Sequence, residues 1–191
     1  MTEPLARSEE RGPDRGRVRA WDPAIRLFHW TTAVLFAANY LALDPEGRWH
    51  RWAGYMIAGL VVVRIFWGFV GPRPARFSAF PPSLRAARLY LAALISGTRE
   101  EHHLSHNPLG ALMVYNLLAS LALLGVTGHM MGSPAFFGAE WVEELHEAVA
   151  NWAFLSVLLH VLGVAVESRR SGINLVRAMI SGWKNLPDRK T

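Results

Sequence analysis

Residues 145–160 read LHEAVANWAFLSVLLH, an apolar stretch with a histidine near each end. An ionisable side chain at bilayer depth is costly and by default marks a functional site. From His146 to His160 is fourteen residues, which on an α-helix advances about 21 Å and about 1400°, roughly 40° short of four full turns. Both imidazoles therefore leave the helix from one face, about two-thirds of a ~30 Å hydrocarbon core apart. They are too distant to share a metal ion, so each needs a partner from another helix at its own level.

Three more apolar runs, at about 25–43, 52–70 and 108–131, join the one at 145–166, and each is near the ~20 residues that span a bilayer. The segments between them differ in charge. Arg7, Arg11, Arg15, Arg17 and Arg19 precede the first run, and Arg73, Arg76, Arg85, Arg88 and Arg99 lie between the second and third. Arg169, Arg170, Arg177 and Lys184 follow the fourth. The third-to-fourth connection has Glu140, Glu143 and Glu144 but no Lys or Arg, and the first-to-second has only Arg48 and Arg51 as basic residues. By the positive-inside rule both termini and the middle loop are cytoplasmic. The expected fold is all-α, an integral membrane four-helix bundle, N-in and C-in, with short interfacial helices.

Among 191 residues, 51% of them hydrophobic, there is no cysteine. That excludes disulfides, thiolate zinc sites, iron-sulfur clusters and C-x-x-C-H attachment of haem, so any redox metal is held by His or Met. The net charge of +5 follows membrane topology, and no nucleic-acid partner is expected. Residues 1–20 read as a disordered cytoplasmic tail, 21–185 as the membrane domain and 186–191 as a second cytoplasmic tail. With no small-residue cleavage site after it, the first run reads as an uncleaved anchor. SLRAARLYLAALISG at 83–97 places Arg85 and Arg88 on one face of an amphipathic surface helix, and GINLVRAMISGW at 172–183 is expected to behave alike.

Topology gives each histidine a level. His29 is one turn past the basic entry of the first helix, on the cytoplasmic side with His160, while His50 opens the second helix on the periplasmic side with His146. Neutral imidazoles paired from opposed helices are what six-coordinate b-type haem iron requires. Zinc or copper fits less well, because no carboxylate or thiolate completes the shell. The competing reading is four interfacial or helix-joining histidines, but four that pair off by depth favour two haem b groups. Arg64, fourteen residues after His50, faces the same side at the cytoplasmic level. Its fork suits haem propionates, and snorkelling to headgroups suits it equally well. Arg26 has the same two readings, with snorkelling favoured. Gly54 and Gly163 permit close approach of a macrocycle or of a neighbouring helix. His102, His103 and His106 in EHHLSH read as solvated loop residues. His129 in TGHMMG reads as interfacial, with axial ligation as its alternative, and Met130 and Met131 read as lipid-facing.

Four blocks, WDPAIRLFHW (21–30), HRWAGYMIAGLVVVRIFWGFVGPRPARF (50–77), HNPLGALMV (106–114) and LHEAVANWAFLSVLLH (145–160), resemble in that order the prokaryotic cytochrome b561 family. That family includes the b-type cytochrome subunits of nickel-iron hydrogenases. The resemblance runs from residue 20 to about 185. It implies a bacterial inner-membrane protein whose four-helix bundle holds two b haems and passes electrons between quinone and a periplasmic redox protein such as a c-type cytochrome, dehydrogenase or hydrogenase. The family's ligand histidines fall on His29, His50, His146 and His160, and its quinone on the surroundings of His29 and Arg64. Ser105 stands where the family pattern has Gly, and His129 is an addition. Two alternatives stay open. One is a self-contained superoxide:quinone oxidoreductase, with His129 or Arg48 and Arg51 attracting the anion; the other is a non-redox membrane scaffold whose histidines only join helices.

Overall fold

The WDP stretch at 21–23 is a helix start written in sequence. In the computed structural model, which describes residues 17–97 and 107–185, the Asp22 carboxylate accepts hydrogen bonds from the Ala24 and Ile25 amides at 2.9 and 3.2 Å. Pro23 occupies the first turn of α1 (Pro23–Leu41), where its missing N–H leaves nothing unpaired. After a short turn comes α2 (Arg48–Val70), then two 3-10 turns, Arg73–Ala75 and Phe77–Ala79. Helix α3 (Leu84–Ser96) starts on the Ser83 hydroxyl and stops at Gly97, whose φ of 74° is left-handed and open to glycine without strain. Helix α4 (Pro108–Met131) repeats the device of α1, with the Asn107 side chain accepting from the Gly110 amide at 2.7 Å and Pro at the first position.

Helix α5 (Glu140–Ser171) is the longest, at 32 residues. It begins before and ends after the apolar run that announced it, because Glu140 and Glu143 in its first turn and Arg169 and Arg170 in its last complement the helix dipole beyond the apolar centre. Helix α6 (Leu175–Ser181) follows, and the described chain ends in β2 (Trp183–Asn185), paired antiparallel with β1 (Arg17–Arg19).

Three of these helices, α2, α4 and α5, are long and apolar enough to cross a membrane. The first apolar run does form a helix, α1, of 19 residues. It falls short of the other three in apolarity because Arg26, His29, Asn39 and Tyr40 lie within it. Helix α1 packs along α2, α2 along α4, and α4 along α5. A buried centre of Ile57, Val61 and Leu121 takes in Phe28, Leu35, Phe36 and Leu124. At the α2–α4 crossing a Cβ on Gly125 would lie 3.0 Å from the Ala58 Cβ, the close small-residue contact that dispersion between lipid-embedded helices favours. The outer faces carry exposed Val62, Val63, Phe66 and Phe69 on α2 and Leu158, Leu159, Val161 and Leu162 on α5. In water such a surface is an aggregation hazard; in hydrocarbon it is a solvent-matched face.

A second cluster, Ala20, Trp21, Ile25, Ala75 and Ala178 with Trp67 and Met179, ties the start of α1 to the end of α2 and to α6. Two expectations are corrected there. Arg17–Arg19, expected in a disordered tail, is a strand, because the far end of the chain supplies its hydrogen-bonding partner, and the Ala20 and Trp21 amides donate to the Gly182 carbonyl at 3.0 and 3.1 Å. The helix expected over 172–183 is confined to Leu175–Ser181 by Gly172 and Gly182, both at positive φ. The surface helix over 83–97 is present as α3, with Arg85 and Arg88 exposed and Ala87 and Tyr90 buried. Residues 1–16 and 186–191 of the expected tails, and Arg99, His102, His103, Ser105 and His106, lie outside the described residues.

Candidate functional site

Three of the four long helices supply the imidazoles, His29 from α1, His50 from α2, and both His146 and His160 from α5, each at a level set by its place along its helix. His29 stands six residues into α1 and meets His160 of α5, their ring centroids 6.2 Å apart. His50 near the start of α2 meets His146 near the start of α5 at 6.3 Å. The structure thus brings the four together two by two, in the pairs expected from depth, with His146 and His160 about four turns apart on one helix. Among the described residues no group of three or more His, Cys, Asp or Glu side chains could hold a metal.

The spacing tests whether haem fits. With metal–imidazole bonds of about 2 Å and a ring-centre-to-nitrogen distance of about 1.1 Å, two imidazoles facing each other across one iron have centroids about 6 Å apart. Both pairs meet that value, and direct hydrogen bonding between rings would need a shorter one. Buried atoms left without a partner give a second test. They are the His29 Nδ1, Thr32 Oγ1, Asn39 Oδ1, His50 Nδ1, Arg64 Nη1 and Trp67 Nε1 atoms, all on α1 or α2. Each such orphan costs about 1–3 kcal/mol, and bilayer hydrocarbon offers no water to relieve it. An acidic substituent seated between the helices would partner the Arg64, Trp67 and Thr32 donors, and with the imidazole spacing at each level the residues present fit a haem there.

Arg64 is the clearest of these atoms' owners. It is only 5% exposed, so it does not snorkel. Its Nη2 donates to the Ala75 carbonyl at 3.3 Å, and its guanidinium lies 4.9 Å from the Phe77 ring centroid. Gly68 makes room for that ring, since a Cβ there would come within 2.2 Å of it. Ala75 belongs to the cluster holding Trp21 and Ile25 at the start of α1, so Arg64 lies toward the His29–His160 level. Arg26 is engaged by α6. Its Nε donates to the Met179 carbonyl at 3.3 Å and its Nη2 to the Ile180 carbonyl, capping the last turn of α6. Gly54 has open space beside it, with the Asn39 Nδ2 atom 4.0 Å from where a Cβ would be, and Gly163 has nothing within 4 Å.

Sequence reasoning passed over several residues. The Thr127 hydroxyl lies 2.8 Å from the His146 Nδ1. Asn116 Nδ2 donates to the Ser156 hydroxyl at 2.8 Å and Trp152 Nε1 to the Asn116 Oδ1 at 3.0 Å, while the Tyr40 hydroxyl donates to Asn151 Oδ1 at 2.6 Å and its ring stacks on Phe154 at 4.4 Å. These contacts bind α1, α4 and α5 between the two imidazole levels. Only the polar letters inside apolar runs hinted at them. His129 meets the Tyr55 hydroxyl through its Nδ1 at 3.2 Å and joins neither imidazole pair. On α3, the Tyr90 hydroxyl donates to the Glu167 carboxylate at 2.6 Å and accepts from Asn107 Nδ2 at 3.0 Å. Burial first, and then the bond and charge of Glu167, push the Tyr90 pKa up to about 12.

Helices of membrane length with imidazoles facing each other in two tiers define a multi-helix membrane protein of cytochrome type. The family model for prokaryotic cytochrome b561 matches residues 20–182, and the chain belongs to that family. It is 25% identical to the probable Ni/Fe-hydrogenase B-type cytochrome subunit of Azotobacter chroococcum mcd 1, over 96% of this chain and 98% of the relative. The protein of the same name from Azotobacter vinelandii is similar to the same extent. No solved structure matches the chain significantly. By its family it is a bacterial multi-pass membrane protein with a cytochrome-type electron-transfer role, consistent with the inner membrane.

Proposed function

We propose that this chain is a transmembrane dihaem b-type cytochrome that passes electrons between membrane quinone and a periplasmic redox protein. In this reading α1 crosses the membrane with α2, α4 and α5, both termini face the cytoplasm, and α3 and α6 lie on the cytoplasmic surface. His29 and His160 would hold the haem at one level, and His50 and His146 the haem at the other. Haem iron, when bound, supplies the one-electron chemistry.

The chain's own residues do the rest. Four imidazoles, neutral in order to ligate, hold the two tiers apart along α5. Arg64 offers a buried cation to a carboxylate at the His29–His160 level, with the Trp67 N–H and the Thr32 hydroxyl as further donors. The apolar packing around Ile57, Val61 and Leu121 keeps water from the space between the tiers. Quinone binds beside His29 and Arg64, and the periplasmic partner docks at the acidic start of α5. The relatives' names make a hydrogenase one candidate for that partner.

The observation that carries this reading is the near-equal spacing of the two imidazole pairs, 6.2 and 6.3 Å. The test is to add a short-chain quinol to the purified, oxidised holoprotein and follow the haem α band. Reduction of the b haems on mixing is expected. Haem that is reduced by dithionite but is inert to quinol and to oxidised quinone would overturn the quinone assignment.

A further inference from the structure

One imidazole of the four has a described hydrogen-bond partner on its Nδ1. Thr127 of α4 is 1% exposed, and its Oγ1 lies 2.8 Å from the His146 Nδ1. The same hydroxyl lies 2.8 Å from the Leu123 carbonyl and 3.3 Å from that of Leu124. A hydroxyl has one hydrogen and two lone pairs. Within a helix, a threonine hydroxyl characteristically donates to the carbonyl four residues back, and here the shorter carbonyl contact is the one to Leu123. With its hydrogen committed there, the oxygen can only accept from the imidazole. The backbone beside it fits this arrangement closely, since a Cβ on Gly128 would stand 3.3 Å from the His146 Cε1.

We infer that Thr127 is a positioning residue that holds His146 in its Nδ1–H tautomer and leaves the Nε2 lone pair directed at the space shared with His50. The inference rests on the proposed ligand role of His146. It goes beyond that role by making the two tiers chemically unequal. The His29 and His50 Nδ1 atoms are buried without a partner. A hydrogen bond from Nδ1–H raises the basicity of a metal-binding imidazole and fixes its ring orientation. A more basic ligand favours the ferric over the ferrous state, so Thr127 lowers the midpoint potential at the His50–His146 tier alone.

Thr127→Val preserves shape and removes the acceptor. In a redox titration of the purified holoprotein, the expected result is two haems per chain, one of them at a higher midpoint and the other unchanged. A tenfold loss of ferric preference corresponds to about 59 mV for one electron. Thr127→Ser, which keeps the hydroxyl, restores the original midpoint. Loss of a single haem in the valine variant, with retention in the serine variant, also supports the assignment, because outer partners of metal-binding histidines contribute about 10–100-fold in affinity. Both midpoints unmoved with two haems retained would overturn it. Should the valine variant lose both haems, ¹⁵N NMR of the reduced, ¹⁵N-histidine-labelled wild-type protein decides. One Nδ1–H protected from solvent exchange and assigned to His146 supports the inference, and an unprotected or unprotonated His146 Nδ1 overturns it. A wild-type chain with no haem would instead remove the underlying reading.

Discussion

The two imidazole tiers share one spacing and differ in almost everything around them. At the His29–His160 tier the polar surroundings are donors. They include the buried Arg64 guanidinium, the Trp67 N–H and the Thr32 hydroxyl, each with an atom lacking a protein partner. At the His50–His146 tier there is no buried cation among the described residues; instead a threonine oxygen steadies one imidazole and Asn39 leaves a carbonyl oxygen unpaired. On the proposed ligand role, equal spacing would leave the protein two independent levers. One is a charge that would hold an anionic substituent, and the other is a hydrogen bond that would adjust a ligand's basicity.

Removing a ligand is the harshest way to break the comparison. His29→Ala or His160→Ala is expected to remove one haem and spare the other, and His50→Ala or His146→Ala to remove the opposite one. A pyridine haemochrome assay reads this as one haem per chain, with the surviving α band distinguishing the tiers. Equal loss of both haems from each single change would contradict independent tiers. Next in size is Arg64→Leu. It withdraws a charge-assisted contact of about 1.5–3 kcal/mol, so haem dissociation from the His29–His160 tier quickens by roughly tenfold to a hundredfold, while the other tier holds. Haem transfer to an excess of apomyoglobin measures both rates.

The smallest effect lies outside both tiers, in the contact that joins α3 to α4 and α5. Tyr90→Phe removes the hydrogen bonds to Glu167 and Asn107 and is expected to lower stability by about 1–3 kcal/mol without changing haem content. The pH dependence has a definite sign. The folded pKa of Tyr90 is raised from 10.0 to about 12, so its contribution is complete below pH 10 and is lost as pH climbs through about 12. Thermal unfolding of the wild type and Y90F across that window checks it, since the gap between their melting temperatures must narrow at the alkaline end.

The parts legible in the sequence are those written in local pattern. The spans α2, α4 and α5 follow from apolar runs, α3 from the spacing of Arg85 and Arg88, and the helix starts from Asp22–Pro23 and Asn107–Pro108. The two imidazole pairings were legible as well, because charge asymmetry orders the helices and helix rise converts sequence separation into depth. What stayed hidden depends on partners far apart in the chain. Nothing around Arg17–Arg19 announces a strand until Trp183–Asn185 lies beside it, and Arg26 reads as a surface cation until α6 presents its last carbonyls. Thr127 is an ordinary hydroxyl in an apolar run until the α4–α5 packing brings it to His146. Helix α1 marks the boundary between the two kinds of information, since the polar groups that the proposed site needs also dilute its apolarity.

In the proposed reading the paired imidazoles grip two separate iron porphyrins. The most direct measurement is the ratio of haem b to polypeptide in the detergent-purified protein, from pyridine haemochrome absorbance against quantitative amino-acid analysis. Two haems per chain are expected. A chain that purifies folded and helical with none, or that saturates at one when haem is supplied in excess, would contradict it.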